Sequence, residues 1–284
     1  MFERALRTVA VAGAVAGLAA GPATGQDWRN VTSFRQLAGE SGLNVHVRYG
    51  AGEMVIAPGG VGELYRLEMR YDADAFDPVT EYRDGRLEVG VEGMGNGVKL
   101  RTESGDMRLS LSPDVPLDLD LDFGAVEATM ELGGLRLSSV EIETGASDTH
   151  VFFSEPNRER CRSLDVTLGA AAFEAEGLGN AGCERVVVEG GVGDLTLDFS
   201  GAWRHDILAD ITMALGSATL RVPEDVGVRV DKDTFLTDFS GHRFAKRNGV
   251  YYSDNWESAE RRLTVDLEGA FGTFKVRWLS PATP

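Results

Sequence analysis

Eight times between residues 52 and 272 this chain places a glycine in front of a short run in which apolar and polar residues alternate. The runs are "GEMVIA" from Gly52, "GDMRLSL" from Gly105, "GAVEATM" from Gly124 and "GASDTHVF" from Gly145; then "GAAAFEA" from Gly169, "GDLTLDF" from Gly193, "GSATLRV" from Gly216 and "GTFKVRW" from Gly272. From Gly124 to Gly216 the steps are 21, 24, 24 and 23 residues. Further alternating stretches lie upstream of these glycines, among them "LDLDLDF", "SVEIET", "SLDVTL", "RVVVEG", "ADITMAL" and "LTVDLEG". Period-two alternation over such lengths belongs to half-buried strands. A repeat of about 20–25 residues is too short for a propeller blade and suits a solenoid with one coil per repeat. Leucine-rich repeats share that length, but their fixed asparagine or cysteine ladder is missing from the pattern.

The expected fold is therefore all-β: a β-solenoid of stacked coils of about 21–24 residues with capped ends. Glycine would supply the unusual backbone angles at the corner between two strands of a coil. Leu119, Leu121 and Phe123 would point inward, as would Val140 with Ile142, Leu164 with Val166, and Val186 with Val188. Asp118, Asp120 and Asp122 would alternate outward.

Residues 1–25 read as a signal peptide, outside the fold. Arg4 and Arg7 precede the apolar run "TVAVAGAVAGLAA", and Ala23 and Gly25 are placed for cleavage before Gln26. The run is too short to span a bilayer, and no later segment is apolar enough to do so. Residues 26–284 read as one domain. It comprises an N-terminal cap over 26–42, with a capping helix in "TSFRQLAGES", and a less regular β section over 43–111 containing the runs "LYRLEMRY" and "RLEVGVE". Regular coils follow over 112–227, then an irregular insertion over 228–262 and a final coil over 263–279. The whole chain carries a net charge of −17. Such a surface repels nucleic acid and anionic lipid, and attracts cations or cationic polymers.

The stretches "GGLRL", "ETGAS", "LGN", "GGVGDLTLDFSG" and "VPEDVGV" resemble the toast-rack or putative-adhesin domains of bacteria, related to the C-terminal domain of LiaF-type proteins that respond to cell-wall-active antibiotics. The resemblance covers roughly residues 43–278. It implies a stacked, all-β, right-handed coil, association with the cell envelope, and a role in adhesion or stress sensing. It supplies no catalytic residues to carry over.

Chemistry-bearing patterns are few. His46, His150, His205 and His242 belong to no metal-binding spacing. His46 and His150 fall in strand patterns and should face out. His205 and Asp206, as neighbours in a strand, would point to opposite faces. "LDLDLDFG" misses the calcium loop because Phe123 separates the third aspartate from Gly124, and "GGVGDL" misses the calcium-binding nonapeptide repeat by one residue. Carboxylates on successive coils would still form a row able to hold calcium weakly. No cofactor is called for.

Cys161 and Cys183 open "CRSLDV" and "CERVVV", which match residue for residue at a 22-residue offset. Coils stacked in register would bring the two within disulfide range, and an exported protein would keep the bond. Trp203 and Trp278 end strands beyond corresponding corners, where packing explains them. Tyr251, Tyr252 and Trp256, in "RNGVYYSDNW", are the best candidates for a partner contact, by position in the insertion.

Two readings follow. One is a non-enzymatic exported β-solenoid of the cell envelope that contacts an envelope protein or glycan. The alternative is a calcium-dependent polysaccharide-binding or polysaccharide-lyase-type β-helix protein, which needs three carboxylates and a buried arginine on one row.

Overall fold

The computed structural model describes residues 27–93, 105–234 and 237–280; the expected signal peptide lies outside them. Of the described residues, 72% are strand and 2% helix. In chain order the elements are β1 (Trp28–Gln36), β2 (Leu43–Pro58), β3 (Glu63–Asp72), β4 (Phe76–Arg83), β5 (Arg86–Gly93), β6 (Gly105–Leu111) and β7 (Pro116–Glu131). They continue with β8 (Arg136–Thr144), β9 (Asp148–Phe152), β10 (Cys161–Glu176), α1 (Leu178–Ala181), β11 (Cys183–Asp198) and β12 (Ile207–Pro223). The last are β13 (Gly227–Thr234), β14 (Thr237–Ser240), β15 (Phe244–Arg247), β16 (Val250–Ser253) and β17 (Arg262–Leu279).

The long strands carry their bend in the sequence. Along β7 the buried positions are Leu117, Leu119, Leu121 and Phe123, then Val126, Ala128 and Met130. The alternation slips by one residue at Gly124–Ala125, so two consecutive residues face outward and the strand turns a corner. β10 slips in the same way at Gly169–Ala170, between Leu168 and Ala171. Both halves of each strand feed one continuous apolar core.

Successive repeats pair in parallel. β10 runs alongside β11 from Cys161↔Cys183 to Ala175↔Leu197, and β11 alongside β12 from Arg185↔Leu208 to Asp198↔Arg221. On the other side, β10 meets β8 with its first half and β9 with its second, and both meet β7. The inward residues read from the sequence are buried as expected.

The glycines fall into two columns rather than one. Gly193, Gly216 and Gly272 register with one another, have φ of +152°, +145° and +157°, and leave no room for a Cβ against the neighbouring carbonyl oxygen. Gly193 lies opposite Ala171, not Gly169. Gly124, Gly145 and Gly169 form a second column, continued by Gly191, without positive φ. There the requirement is space: a Cβ on Gly169 would stand 2.6 Å from the carbonyl oxygen of Gly145. Gly105 pairs with Gly52, which registers on its other side with Val126. Expected corner angles thus hold for the first column and for Gly52, not for the second column or Gly105.

The order of strands at the ends departs from the order in the chain. β2 sits between β7 and the pair β5 and β6; β17 sits between β12 and the pair β13 and β14. The outermost layers are then covered by antiparallel strands: β4 on β5, β3 and β1 on β6, β16 and β15 on β13. Three expectations are corrected here. The capping helix expected over residues 32–41 does not form: residues 32–36 belong to β1, which pairs along its whole length with β3, and 37–41 carry no helix. The irregular insertion contains paired strands, β13 to β16. The last strand in sequence is not the last in space.

Candidate functional site

Outward residues of the first strand halves make a flat lateral face. One row crosses nine strands in register: Glu88, His46, Asp120, Glu141, Asp165, Val187, Asp210, Asp266 and Asp231. Seven of its nine side chains are carboxylates. The next row adds Asp122, Glu143, Glu189, Glu268 and Asp233. Parallel neighbours stand about 4.8 Å apart, close enough for mutual repulsion, so the face needs cations.

Arginines meet part of that need. Arg162 reaches Asp118 at 3.0 Å, Arg185 reaches Asp210 at 2.5 Å, and Arg229 spans Asp231 at 2.7 Å and Asp266 at 3.5 Å. His46 Nδ1 lies 2.7 Å from Asp120 Oδ2. Ser163 donates to Asp165 at 2.6 Å. Among the described residues, the side chains of Asp122, Glu141 and Glu143 have no hydrogen bond or ion pair. Glu141 lines a groove of about 440 Å³ together with His46, Arg86, Asp118, Asp120 and Arg162, among others, while Asp122 and Glu143 stand in the next row.

The groove meets half of the condition set by the alternative reading. Asp120, Glu141 and Asp165 do stand in one row on consecutive repeats. The arginine beside them is not buried: the Arg162 side chain is 70% exposed. No group of three or more His, Cys, Asp or Glu side chains among the described residues is arranged to hold a metal ion.

The remaining candidates separate. His150 faces out beside Asp148 and Glu174. His205 and Asp206 lie in the turn before β12, not in a strand. The imidazole nitrogens face the carbonyl oxygens of Asp206 and Gly182, while the Asp206 carboxylate accepts from the Arg262 amide at 3.0 Å, so the two do not act as a pair. His242 contributes its carbonyl oxygen to Trp278 Nε1 at 3.0 Å. Cys161 and Cys183 are neighbours in the ladder with Cα atoms 4.3 Å apart, and their sulfurs are bonded. Tyr252 and Trp256 meet edge to face at 5.7 Å, with Arg247 over the first ring and Arg262 over the second. Tyr251 turns the other way and packs on Phe239 at 4.5 Å, so the three do not form one patch.

Sequence reasoning passed over the asparagines of the turns. Buried Asn157 bonds the amide and carbonyl of Leu137 and the carbonyl of Ala181; Asn180 bonds Phe153 and Ala202. Each stitches its own repeat to the two beside it. Their 23-residue separation, one repeat, was the available signal.

Strands stacked in parallel register, bent at glycine columns and carrying a charged lateral face define an all-β repeat protein of the toast-rack kind. The family model described as "N-terminal domain of toast_rack, DUF2154" matches residues 24–171, just over half of the chain. The chain belongs to the toast-rack family. No curated protein matches it. Among solved structures it is similar to a "putative cell adhesion protein" from Clostridium sporogenes, at 16% identity and TM-score 0.46, covering 89% of this chain and 100% of that one. It is also similar to a "putative adhesin" from Bacteroides fragilis, at 11% identity and TM-score 0.36, covering 87% and 97%. A "putative lipid binding protein" from Parabacteroides distasonis follows at 12% identity and TM-score 0.28, covering 86% and 96%. Among the described residues no helix is long and apolar enough to cross a membrane.

Proposed function

We propose that the chain is an exported, non-enzymatic protein of the cell envelope. In this reading it is a right-handed β-solenoid whose lateral acidic face holds an envelope protein or glycan, in adhesion or envelope-stress sensing. The observation that carries the reading is the row of seven carboxylates in register across nine strands. A rigid face that repeats one charge at a fixed spacing suits a partner that repeats cationic groups, and favours its encounter by long-range attraction.

The test compares residues 26–284 with a triple variant, Asp122→Asn, Glu141→Gln and Glu143→Gln, for binding to envelope fractions immobilised on beads. Exposed carboxylates without partners should be removable at little cost to folding. Binding should fall at least tenfold in the variant. Equal binding by both proteins rejects the lateral face as the contact surface.

One observation favours the calcium-dependent alternative, the Asp120–Glu141–Asp165 row beside His46 and Arg162. With no three carboxylates among the described residues gathered around one point, millimolar calcium should raise the melting temperature little. A rise of about ten degrees or more needs selective binding to the folded state and would favour the alternative.

A further inference from the structure

A cavity of about 560 Å³ opens between the turn after β11 and the loop before β17, away from the lateral groove; it is lined by Trp203, Glu224, Asp225, Ser258, Glu260 and Arg261, among others. That volume is within the usual range of small-molecule sites, about 300–1,000 Å³.

Its walls are held by bonds that ask nothing of a ligand. The Trp203 indole N–H donates to the Phe199 carbonyl at 2.8 Å, and the ring edge lies over Gly179, where a Cβ would come within 2.8 Å of it. The indole is fixed at its polar edge, and its part-exposed ring lines the cavity. On the opposite wall, Asn255 donates to the carbonyls of Glu224 at 3.2 Å and Val226 at 3.1 Å, and accepts from Ser253 Oγ at 2.7 Å. This ties the loop carrying Ser258 and Glu260 to the turn carrying Glu224 and Asp225. A site set before binding loses less entropy on occupation.

The carboxylates are incompletely neutralised. Glu224 meets Arg243 only at 3.9 Å, and Glu260, with its side chain 87% exposed, meets Arg261 at 3.7 Å. Asp225 has no hydrogen bond or ion pair among the described residues. The lining thus combines one fixed indole with three carboxylates against one arginine.

We propose that this cavity is a subsite for a saccharide unit bearing a free ammonium group. The sugar's C–H face stacks on Trp203, the ammonium pairs with Asp225 and Glu224, and hydroxyls bond Ser258 and Glu260. A neutral sugar would leave Asp225 unpaired, and a lysine side chain would not present a ring to Trp203. The ammonium beside an indole gains from the ring's negative face as well. This inference rests on the reading of the chain as a binding protein and gives that reading a ligand class.

Isothermal titration in about 0.15 M salt, which screens loose attraction to the acidic faces, tests it with three probes: a glucosamine tetrasaccharide, its fully N-acetylated counterpart and a trilysine peptide. The glucosamine oligomer should bind residues 26–284 at least tenfold more tightly than the N-acetylated form, and trilysine should not displace it. Trp203→Ala should weaken binding at least tenfold and Asp225→Asn severalfold. Asp225 is exposed and unpaired, so its variant keeps the test decisive even where Trp203→Ala disturbs the turn. No binding, equal binding of the N-acetylated oligomer, displacement by trilysine, or indifference to Asp225→Asn each overturns the proposal. Such a failure leaves the lateral-face test untouched, because the triple variant there alters no residue of this cavity.

Discussion

Between β8 and β12 each repeat pairs with the repeat that follows it, whereas at both ends the chain overshoots, builds an outer layer and returns to fill the place beneath. The separation along the chain shows the contrast: Cys161 and Cys183 pair at 22 residues, but Asn44 pairs with Asp118 and Ile207 with Leu263. Composition changes at the C-terminal end: residues 136–223 hold 14 acidic and 7 basic side chains, residues 227–280 hold 8 and 9. All seven cation–aromatic contacts among the described residues lie at the ends, such as Arg70 over Trp28 at 3.9 Å and Arg243 over Trp278 at 5.1 Å. The middle stacks by backbone register and leaves its outer face to charge. The ends must shield open strand edges, and do so with antiparallel strands and rings under arginines and one lysine.

If the middle depends on register, it should break at the glycine column before anything else. Gly216→Val adds a strained φ to a collision with the Gly193 carbonyl, and should cost about 4 kcal/mol in urea unfolding. Gly62→Ala, in an end loop at φ +80° with nothing within 4 Å, should cost only about 1 kcal/mol. Equal costs would remove the distinction between the two regions.

Reduction of the Cys161–Cys183 bond should lower stability by about 3 kcal/mol by loop entropy, with the fold retained and peptide mapping joining the two segments before reduction. Two freely alkylatable thiols in the exported protein would contradict it. Asn157→Ala strands amide and carbonyl groups of Leu137 and the Ala181 carbonyl in a buried turn. Its cost should be about 2 kcal/mol, felt across the middle repeats. Arg70→Ala removes the cation over Trp28 and should cost about 1 kcal/mol or less, seen as faster hydrogen exchange confined to β1 and β3.

What the sequence disclosed follows the same division. The inward positions and the one-repeat register of the two cysteines were legible, because neighbours in the middle are one period apart and share flanking residues. The two-residue offset between Gly169 and Gly191–Gly193 was not, since either glycine of the later repeat satisfies a glycine alignment and only the register with Ala171 chooses. Residues 32–36, the second half of β1, were read as the start of a capping helix over 32–41 because their partner is β3, which pairs with β1 at separations of 27 to 44 residues, with no local sign of the pairing. The acidic face was half legible: Asp118, Asp120 and Asp122 alternate visibly, but the place of Asp266 between Asp210 and Asp231 depends on the swapped order of strands. The cavity beside Trp203 joins segments fifty residues apart, and nothing in either announces the other.

That swapped order decides which carboxylates are neighbours on the lateral face, and cysteine pairs report it directly. Asp210→Cys with Asp266→Cys, on adjacent strands, should form a second disulfide on mild oxidation. Asp210→Cys with Asp231→Cys, with β17 between them and about 10 Å apart, should not. A bond in the second pair and none in the first would put β13 next to β12, and would contradict both the topology and the acidic row built on it.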